Sequence, residues 1–161
     1  MKYRIVLTDE YIEKGYDLYW RTEYLNTKLH TNDLVNNLVS IKIVGVVERI
    51  QNCLLENDIT LMMYEGILFT EYVDENSGME VSIPENKVVF TSLDILFFMF
   101  KVEFFKLCLQ FANKALEAME VFGLKEKGIV DDKWEQEIKD LIPKIETKVK
   151  EVIEKYGEEE S

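Results

Sequence analysis

The chain has 161 residues, of which 47% are hydrophobic and 31% are charged, and its formal net charge at pH 7 is -12. This length and composition are typical of one folded domain with its own core and exclude an intrinsically disordered chain. The negative charge argues against direct binding to nucleic acid, because affinity for phosphates comes mainly from Lys and Arg side chains.

The cysteines and the first residues of the chain bear on its compartment. Cys53 and Cys108 lie inside apolar patterns, and no Cys or His cluster has the spacing of a zinc site, so we expect two small buried thiols. Met1 leads directly into a strand-like segment, without the basic and long apolar stretches of a signal peptide. We therefore predict a cytoplasmic protein.

One apolar segment has the length of a membrane span. Residues 93–112 are mostly aromatic or aliphatic, but Lys101, Glu103 and Lys106 stand in the middle of the segment. Charges at the centre of a bilayer cost about 2.5 to 3.5 kcal/mol each. We therefore predict a buried helix and no partnership with a membrane.

The first third of the chain is predicted to form one strand and two helices. Residues 2–7 indicate a short strand, and Thr8 is the expected N-cap of a helix that runs to residue 24. A strand over residues 16–25 is the alternative. A second helix is predicted to end at residues 56–58. The first helix carries an aromatic row that we expect in the core: Tyr11, Tyr16, Tyr19, Trp20 and Tyr24.

The middle of the chain is predicted to form a small antiparallel sheet. Four segments are rich in β-branched and aromatic residues and are separated by turn residues, namely 59–64, 67–73, 79–83 and 88–90. Residues 74–78 are predicted to form a hairpin loop in which Gly78 takes a positive φ.

The last third is predicted to form two long helices. Thr91 and Asp94 resemble a capping box at the start of a mostly apolar helix that runs to residue 122. The final helix is expected to begin near Asp131, to run to residue 156, and to be kinked or divided at Pro143.

These elements predict an α+β fold. A small antiparallel sheet, formed by residues 59–90 and an N-terminal strand, is expected to pack with four helices, the last two of which form a long antiparallel helical hairpin. Residues 1–156 are expected to form a single domain, and residues 157–161 a frayed acidic tail. The apolar helix before residue 122 is expected to be central to the fold or to be covered in a homodimer.

The acidic residues are unevenly distributed along the chain. Between residues 51 and 86 there is no Lys, Arg or His, while eight acids occur: Glu56, Asp58, Glu65, Glu71, Asp74, Glu75, Glu80 and Glu85. A surface rich in carboxylates without nearby cations attracts a basic partner over long range. The alternative is that these acids keep a strand-rich edge soluble.

The charge pattern gives the leading hypothesis, a non-enzymatic protein-binding or inhibitory module. Its expected partner is a basic protein surface, such as that of a nuclease, a toxin or a nucleic-acid-binding protein. In composition alone the chain resembles immunity proteins and phage-encoded DNA mimics. The partner-binding residues are predicted to be Glu71, Asp74, Glu75, Glu80 and Glu85.

A second hypothesis comes from carboxylate spacing in the predicted C-terminal helices. Glu117 and Glu120 form one pair three residues apart, and Glu137 and Asp140 form another. These pairs resemble the ExxE and ExxD pairs of the all-α nucleotide pyrophosphohydrolases, the MazG-like and dimeric dUTPase families. The resemblance implies four Mg²⁺ ligands and hydrolysis of a nucleoside triphosphate. Without it we expect no cofactor.

Other signatures of catalysis are missing from the sequence. The seven glycines form neither a GxGxxG motif nor a P-loop, and the single histidine, His30, is expected at a surface or at a helix end.

The third hypothesis is a structural protein that only associates with itself.

Overall fold

The computed structural model describes residues 3–8, 19–24, 34–61, 65–92 and 95–158, and Ile5 is the one residue of the first two ranges whose side chain is described. Within these ranges the protein is α+β, with a small antiparallel sheet and three α-helices. The predicted class is therefore confirmed, while the described residues contain three α-helices and not the predicted four.

The strands form one four-stranded sheet and two strand pairs. Their bounds are β1 Tyr3–Thr8, β2 Tyr19–Tyr24, β3 Ile59–Thr60, β4 Glu65–Leu68, β5 Glu71–Val73, β6 Glu80–Ser82, β7 Lys87–Ser92 and β8 Ile95–Phe100. The four-stranded sheet has the order β3-β4-β7-β8, and β1 pairs with β2 as β5 does with β6. Each of these pairings is antiparallel.

The helices follow two short 3₁₀ turns, Asn36–Leu38 and Ile43–Gly45. Their bounds are α1 Val46–Leu54, α2 Lys101–Val121 and α3 Asp132–Tyr156. α2 contacts α1, α3, β1, β7 and β8. It is therefore the element around which the described part of the chain is assembled.

The N-terminal elements differ in part from their prediction. β1 confirms the strand expected over residues 2–7, but Thr8 is the last residue of that strand and not a helix cap. Tyr19–Tyr24 is a strand paired with β1, so the alternative over residues 16–25 holds there and a helix to residue 24 is wrong. The N-terminal strand joins β2 and not the sheet of residues 59–90. Outside the described residues lie all of 9–18, which include Tyr11 and Tyr16 of the aromatic row, and His30.

The segment before α2 is a strand where a helix was predicted. Residues 95–100 form β8, which pairs with β7. Met99 of β8 lies opposite Val88, and Phe97 lies opposite Phe90. Thr91 lies in β7 and so does not cap a helix. Pairing with β7 buries Met99 completely, and this long-range contact outweighs the local preference of the apolar run.

α2 is covered by the protein's own chain along most of its length. Phe104, Phe105 and Phe111 are fully buried, and the Gln110 side chain accepts a hydrogen bond from the backbone N–H of Ile5 in β1. Within the described residues, the apolar faces of α2 are therefore core, which agrees with the first of the two expectations for this helix.

α2 and α3 form the predicted antiparallel helical hairpin. Lys106, near the start of α2, forms a 2.9 Å ion pair with Glu158, just beyond the end of α3. Asp131 caps α3 by accepting a 2.8 Å hydrogen bond from the N–H of Trp134. The helix continues through Pro143 without a break, so of the two predicted alternatives, a kink or a division, the division is wrong.

Two further predictions concern the two cysteines and the absence of a membrane-spanning helix. Cys53 and Cys108 are both buried free thiols, as predicted, and burial raises the pKa of Cys108 well above its ordinary value. In the ranges given above, no helix has the length and apolar character needed to cross a membrane.

Candidate functional site

The acidic segment of the chain contains a separate hairpin formed by β5 and β6. Glu71 pairs with Ser82, Tyr72 with Val81, and Val73 with Glu80. In such a ladder, opposite residues point to the same face and neighbours along a strand point to opposite faces. Tyr72 and Val81 therefore share one face of the hairpin.

The face that carries Tyr72 and Val81 is the inner face of the hairpin, because it packs against the rest of the protein. The Tyr72 ring packs edge-on against Phe98 of β8, with 5.8 Å between ring centroids and an angle of 80°. Phe98 points away from the face of the sheet that carries the buried Met99. The hairpin therefore lies over the outer face of the four-stranded sheet, and its other face is turned to solvent.

The outer face of the hairpin carries two of the predicted site residues. Glu71 and Glu80 are both exposed, and Val73 between them has 57% of its surface exposed. Glu80 lies opposite Val73, so Glu71 is its diagonal neighbour at about 7 to 8 Å. The two carboxylates and the valine therefore form one contiguous surface.

The loop of the hairpin adds two more carboxylates. The Asp74 side chain accepts a 2.9 Å hydrogen bond from the N–H of Asn76, and Gly78 closes the loop at a φ of 68°. This positive φ confirms the role predicted for Gly78. Glu75 is exposed, and Met79 has 67% of its surface exposed. The tip is therefore acidic with an apolar side chain beside it.

We name this surface the acidic hairpin. It consists of Glu71, Val73, Asp74, Glu75, Met79 and Glu80. No cation in the described ranges forms an ion pair with any of its four carboxylates. Their charges are therefore available to a partner.

The other acids of the segment lie elsewhere, and most have structural contacts. Asp58 accepts a 2.9 Å hydrogen bond from the N–H of Phe69, and Glu65 accepts one of 3.4 Å from the hydroxyl of Ser92. Glu85 lies beyond β6, with an oxygen 3.9 Å from the Lys155 ammonium. The structure thus brings together four of the five predicted site residues and sets Glu85 apart.

Glu56 is the most strongly engaged acid of the segment. It forms ion pairs with the buried Lys101 at the start of α2 and, at 3.0 Å, with Lys148 of α3. Burial alone would raise the pKa of Glu56, but the hydrogen bonds and positive charges of the two lysines lower it below its ordinary value. Glu56 therefore joins three helices and is not part of the acidic hairpin.

The four carboxylates of the pyrophosphohydrolase hypothesis lie on α2 and α3. Glu117 pairs with Lys114 at 3.0 Å, and Asp140 accepts a 2.8 Å hydrogen bond from Gln136. Glu137 lies 3.8 Å from Lys133, and Glu120 is exposed. Among the residues described, no three or more His, Cys, Asp or Glu side chains are grouped so that they could hold a metal ion.

A surface groove of about 600 Å³ lies beside the start of α3. Its apolar wall includes Val44, Ile129 and Trp134, and its charged wall includes Lys125. Lys125 is held at 2.7 Å by both Asp132 and Glu135, and these hydrogen bonds raise the pKa of its ammonium group. The charged groups of this groove therefore already have partners within the chain.

Comparisons of the chain with protein-family models, with curated proteins and with solved structures find no match. The acidic hairpin is therefore the feature of the described residues on which a functional proposal rests.

Sequence reasoning did not assign a role to the two apolar residues of this surface. Val73 and Met79 are exposed although they lie in and beside strands. Only Val73 had a signal for such a role in the sequence, since it lies next to Asp74 and two residues from Glu71, whereas the one acid within two residues of Met79 is Glu80.

Proposed function

We propose that this protein is a non-enzymatic protein-binding or inhibitory module of the cytoplasm, which presents the acidic hairpin to a basic partner surface. The observation that carries the proposal is that four carboxylates, Glu71, Asp74, Glu75 and Glu80, stand together on an exposed hairpin without a cation from the described chain.

The use of lysine elsewhere in the chain supports this proposal. Glu56 receives two lysines, and Glu135 receives Lys125 at 2.7 Å and Lys139 at 3.0 Å. Acids that serve the fold are therefore paired, whereas those of the acidic hairpin repel one another. Such repulsion is a cost to the folded state that a basic partner would remove on binding.

The apolar side chains of the surface indicate a protein partner. Val73, on the outer face next to Glu71 and Glu80, would be desolvated in an interface formed there, and the exposed Met79 would lie beside that interface at the tip of the hairpin. Protein interfaces have this arrangement, in which an apolar centre is enclosed by a polar rim. A small cation would use the carboxylates alone and leave both side chains in water.

The charge of the surface narrows the class of partner. Proteins that bind nucleic acid have basic surfaces that neutralise phosphates. A rigid acidic surface would compete for such a site, as expected for an inhibitor of a nuclease, a toxin or another nucleic-acid-binding protein. Attraction of this kind speeds association and weakens as salt screens the charges.

A pair of matched variants tests the proposal. In the hairpin variant, Glu71, Glu75 and Glu80 are changed to Lys and Asp74 to Asn, which keeps the oxygen that accepts from Asn76. In the control variant, three exposed acids of α3 are changed to Lys and one acid of the preceding turn to Gln: Glu146, Glu151, Glu154 and Glu126. Both variants therefore have the same net charge.

The readout is quantitative recovery of basic proteins from a low-salt lysate by each immobilised chain. We expect a partner that the wild-type chain and the control variant retain and that the hairpin variant loses. If all three chains retain the same proteins in the same amounts, the acidic hairpin is not a binding surface and the proposal is wrong.

The pyrophosphohydrolase hypothesis stays a prediction with its own test. It predicts Mg²⁺-dependent release of pyrophosphate from a nucleoside triphosphate, lost in Glu117→Ala and in Asp140→Ala. Absence of turnover across a nucleotide panel with Mg²⁺ or Mn²⁺ would dispose of it.

The self-association hypothesis is separated from the others by size. It predicts a stable homodimer or larger oligomer in light scattering, together with no captured partner.

A further inference from the structure

We infer that the free edge of β5 is the docking edge for an extended basic segment of the partner, which would add a third strand to the acidic hairpin. This inference rests on the proposed function and specifies how the partner binds. It concerns the backbone of Glu71 and Val73 as well as their side chains.

The hydrogen bonds of the hairpin fix which backbone groups face outward. The N–H of Ile83 donates to the carbonyl of Thr70 at 2.8 Å, and the N–H of Asp74 donates to the carbonyl of Met79 at 2.9 Å. Bonded pairs alternate along an antiparallel ladder, so Tyr72 and Val81 form the bonded pair between these two. The N–H and C=O groups of Glu71 and Val73 therefore point away from β6.

This outward edge is unused in the part of the chain that the structure describes. The hairpin contains two strands only, and no hydrogen bond found there involves the backbone of Glu71 or Val73. A strand edge with free N–H and C=O groups is a template for a further strand. Two donors and two acceptors are thus available for an incoming segment.

The side chains on this edge select the chemistry of that segment. A second copy of the chain, paired through the same edge, would bring its own Glu71 against this edge, and like charges on adjacent strands repel. A segment with Lys or Arg at alternate positions beside β5 would place its cations next to Glu71 and near the tip acids Asp74 and Glu75, whereas Glu80 lies on β6, one strand further away. The same charges therefore oppose self-pairing and favour a basic strand.

The probe for this inference is a capped eight-residue peptide in which lysine and valine alternate. A matched peptide with proline in place of two central valines has the same charge but cannot form a strand ladder. With the full, ¹⁵N-labelled chain, we expect the alternating peptide to slow amide exchange of Glu71 and Val73 at least about tenfold, and that of Glu80 and Ser82 much less.

Two proline variants test the edge in binding measurements with the same peptide. Val73→Pro removes an outward N–H of β5, and Ser82→Pro removes the equivalent N–H of β6, while neither touches a bond between the two strands. We expect Val73→Pro to weaken binding about tenfold and Ser82→Pro to change it less than about twofold. A retained nuclear Overhauser contact between Tyr72 and Phe98 shows that the hairpin is intact.

The outcomes separate this inference from the proposed function. Equal binding by both proline variants, or protection of Glu80 and Ser82 instead of Glu71 and Val73, overturns the β5 edge. If binding also survives in the hairpin variant with three lysines, the proposed function fails as well. If Val73→Pro disturbs the Tyr72 contact, the exchange pattern of the wild-type chain decides the question alone.

Discussion

Glu56 at the end of α1 accepts a 3.0 Å hydrogen bond from Lys148 of α3, although 92 positions separate them in the sequence. Glu56 has a φ of 54°, a left-handed conformation that usually belongs to glycine at the end of a helix. The N–H groups of Glu56 and Asn57 close the helix by donating to Cys53 and Asn52. A residue with a side chain is thus kept in a strained conformation because its carboxylate joins α1 to α2 and α3.

Two substitutions separate the strain at Glu56 from its ion pairs. Glu56→Ala removes the carboxylate and leaves the buried Lys101 without that partner, so we expect a loss of about 2 to 4 kcal/mol in the free energy of unfolding. Glu56→Gly removes the same carboxylate but relieves the left-handed strain, so it should be about 1 kcal/mol more stable than Glu56→Ala. Urea unfolding measures both. Equal stability of the two variants would show that the backbone there is unstrained.

The ion pairs of Glu56 also predict a dependence of stability on pH. The lysines hold the pKa of Glu56 in the folded state below its ordinary value, so the unfolded state binds the proton more readily. The stabilisation is therefore present above the unfolded pKa and is lost as the pH falls through the lower, folded pKa. We expect the stability difference between wild type and Glu56→Gln to shrink between about pH 5 and about pH 3. A difference that does not change over this range would contradict the assignment.

Gly66 in β4 is required by a close approach of two strands. A Cβ atom at this position would lie 2.7 Å from the carbonyl oxygen of Ile59 in β3, and a backbone oxygen cannot move aside as a side chain does. We expect Gly66→Ala to lower the free energy of unfolding by about 3 kcal/mol.

The matched control for Gly66 is the loop residue Gly78. It has open space around the Cβ position and a φ of 68°, so Gly78→Ala should lose only about 1 kcal/mol, through strain. Thermal or urea unfolding of the two variants provides the comparison. A loss at Gly66 no greater than that at Gly78 would rule out the clash.

The elements that could be predicted are those whose signals are local. The loop of residues 74–78 contains Gly78 where a positive φ is needed, and α3 has a capping Asp131 followed by a regular apolar stripe. Turn chemistry, caps and helical periodicity depend on neighbouring residues, so the sequence contains them directly.

The elements that could not be predicted depend on distant partners. Residues 95–100 continue the apolar pattern of α2, and only their pairing with β7 makes them a strand. Short apolar runs are ambiguous between helix and strand for this reason. Glu56 was counted with the acidic segment because nothing near it in the sequence indicates Lys101 or Lys148.

The negative charge of the candidate site could be predicted from the sequence, but the arrangement of its side chains could not. The absence of basic residues between 51 and 86 pointed to the segment that contains the acidic hairpin. The register of β5 and β6 then decides which acids share a face, and the contact between Tyr72 and Phe98 decides which face is outside. Both are long-range features, so Glu85 could not be separated from the other four acids in advance.

The most direct test of the central claim is a titration of the ¹⁵N-labelled chain with the alternating lysine and valine peptide at low salt, followed by amide chemical shifts. The proposed function predicts shifts concentrated in residues 70–83 that disappear in the hairpin variant and persist in the control variant. Shifts of equal size at the exposed acids of α3, such as Glu146, Glu151 and Glu154, would show that the peptide follows net charge alone and would contradict a binding surface on the acidic hairpin.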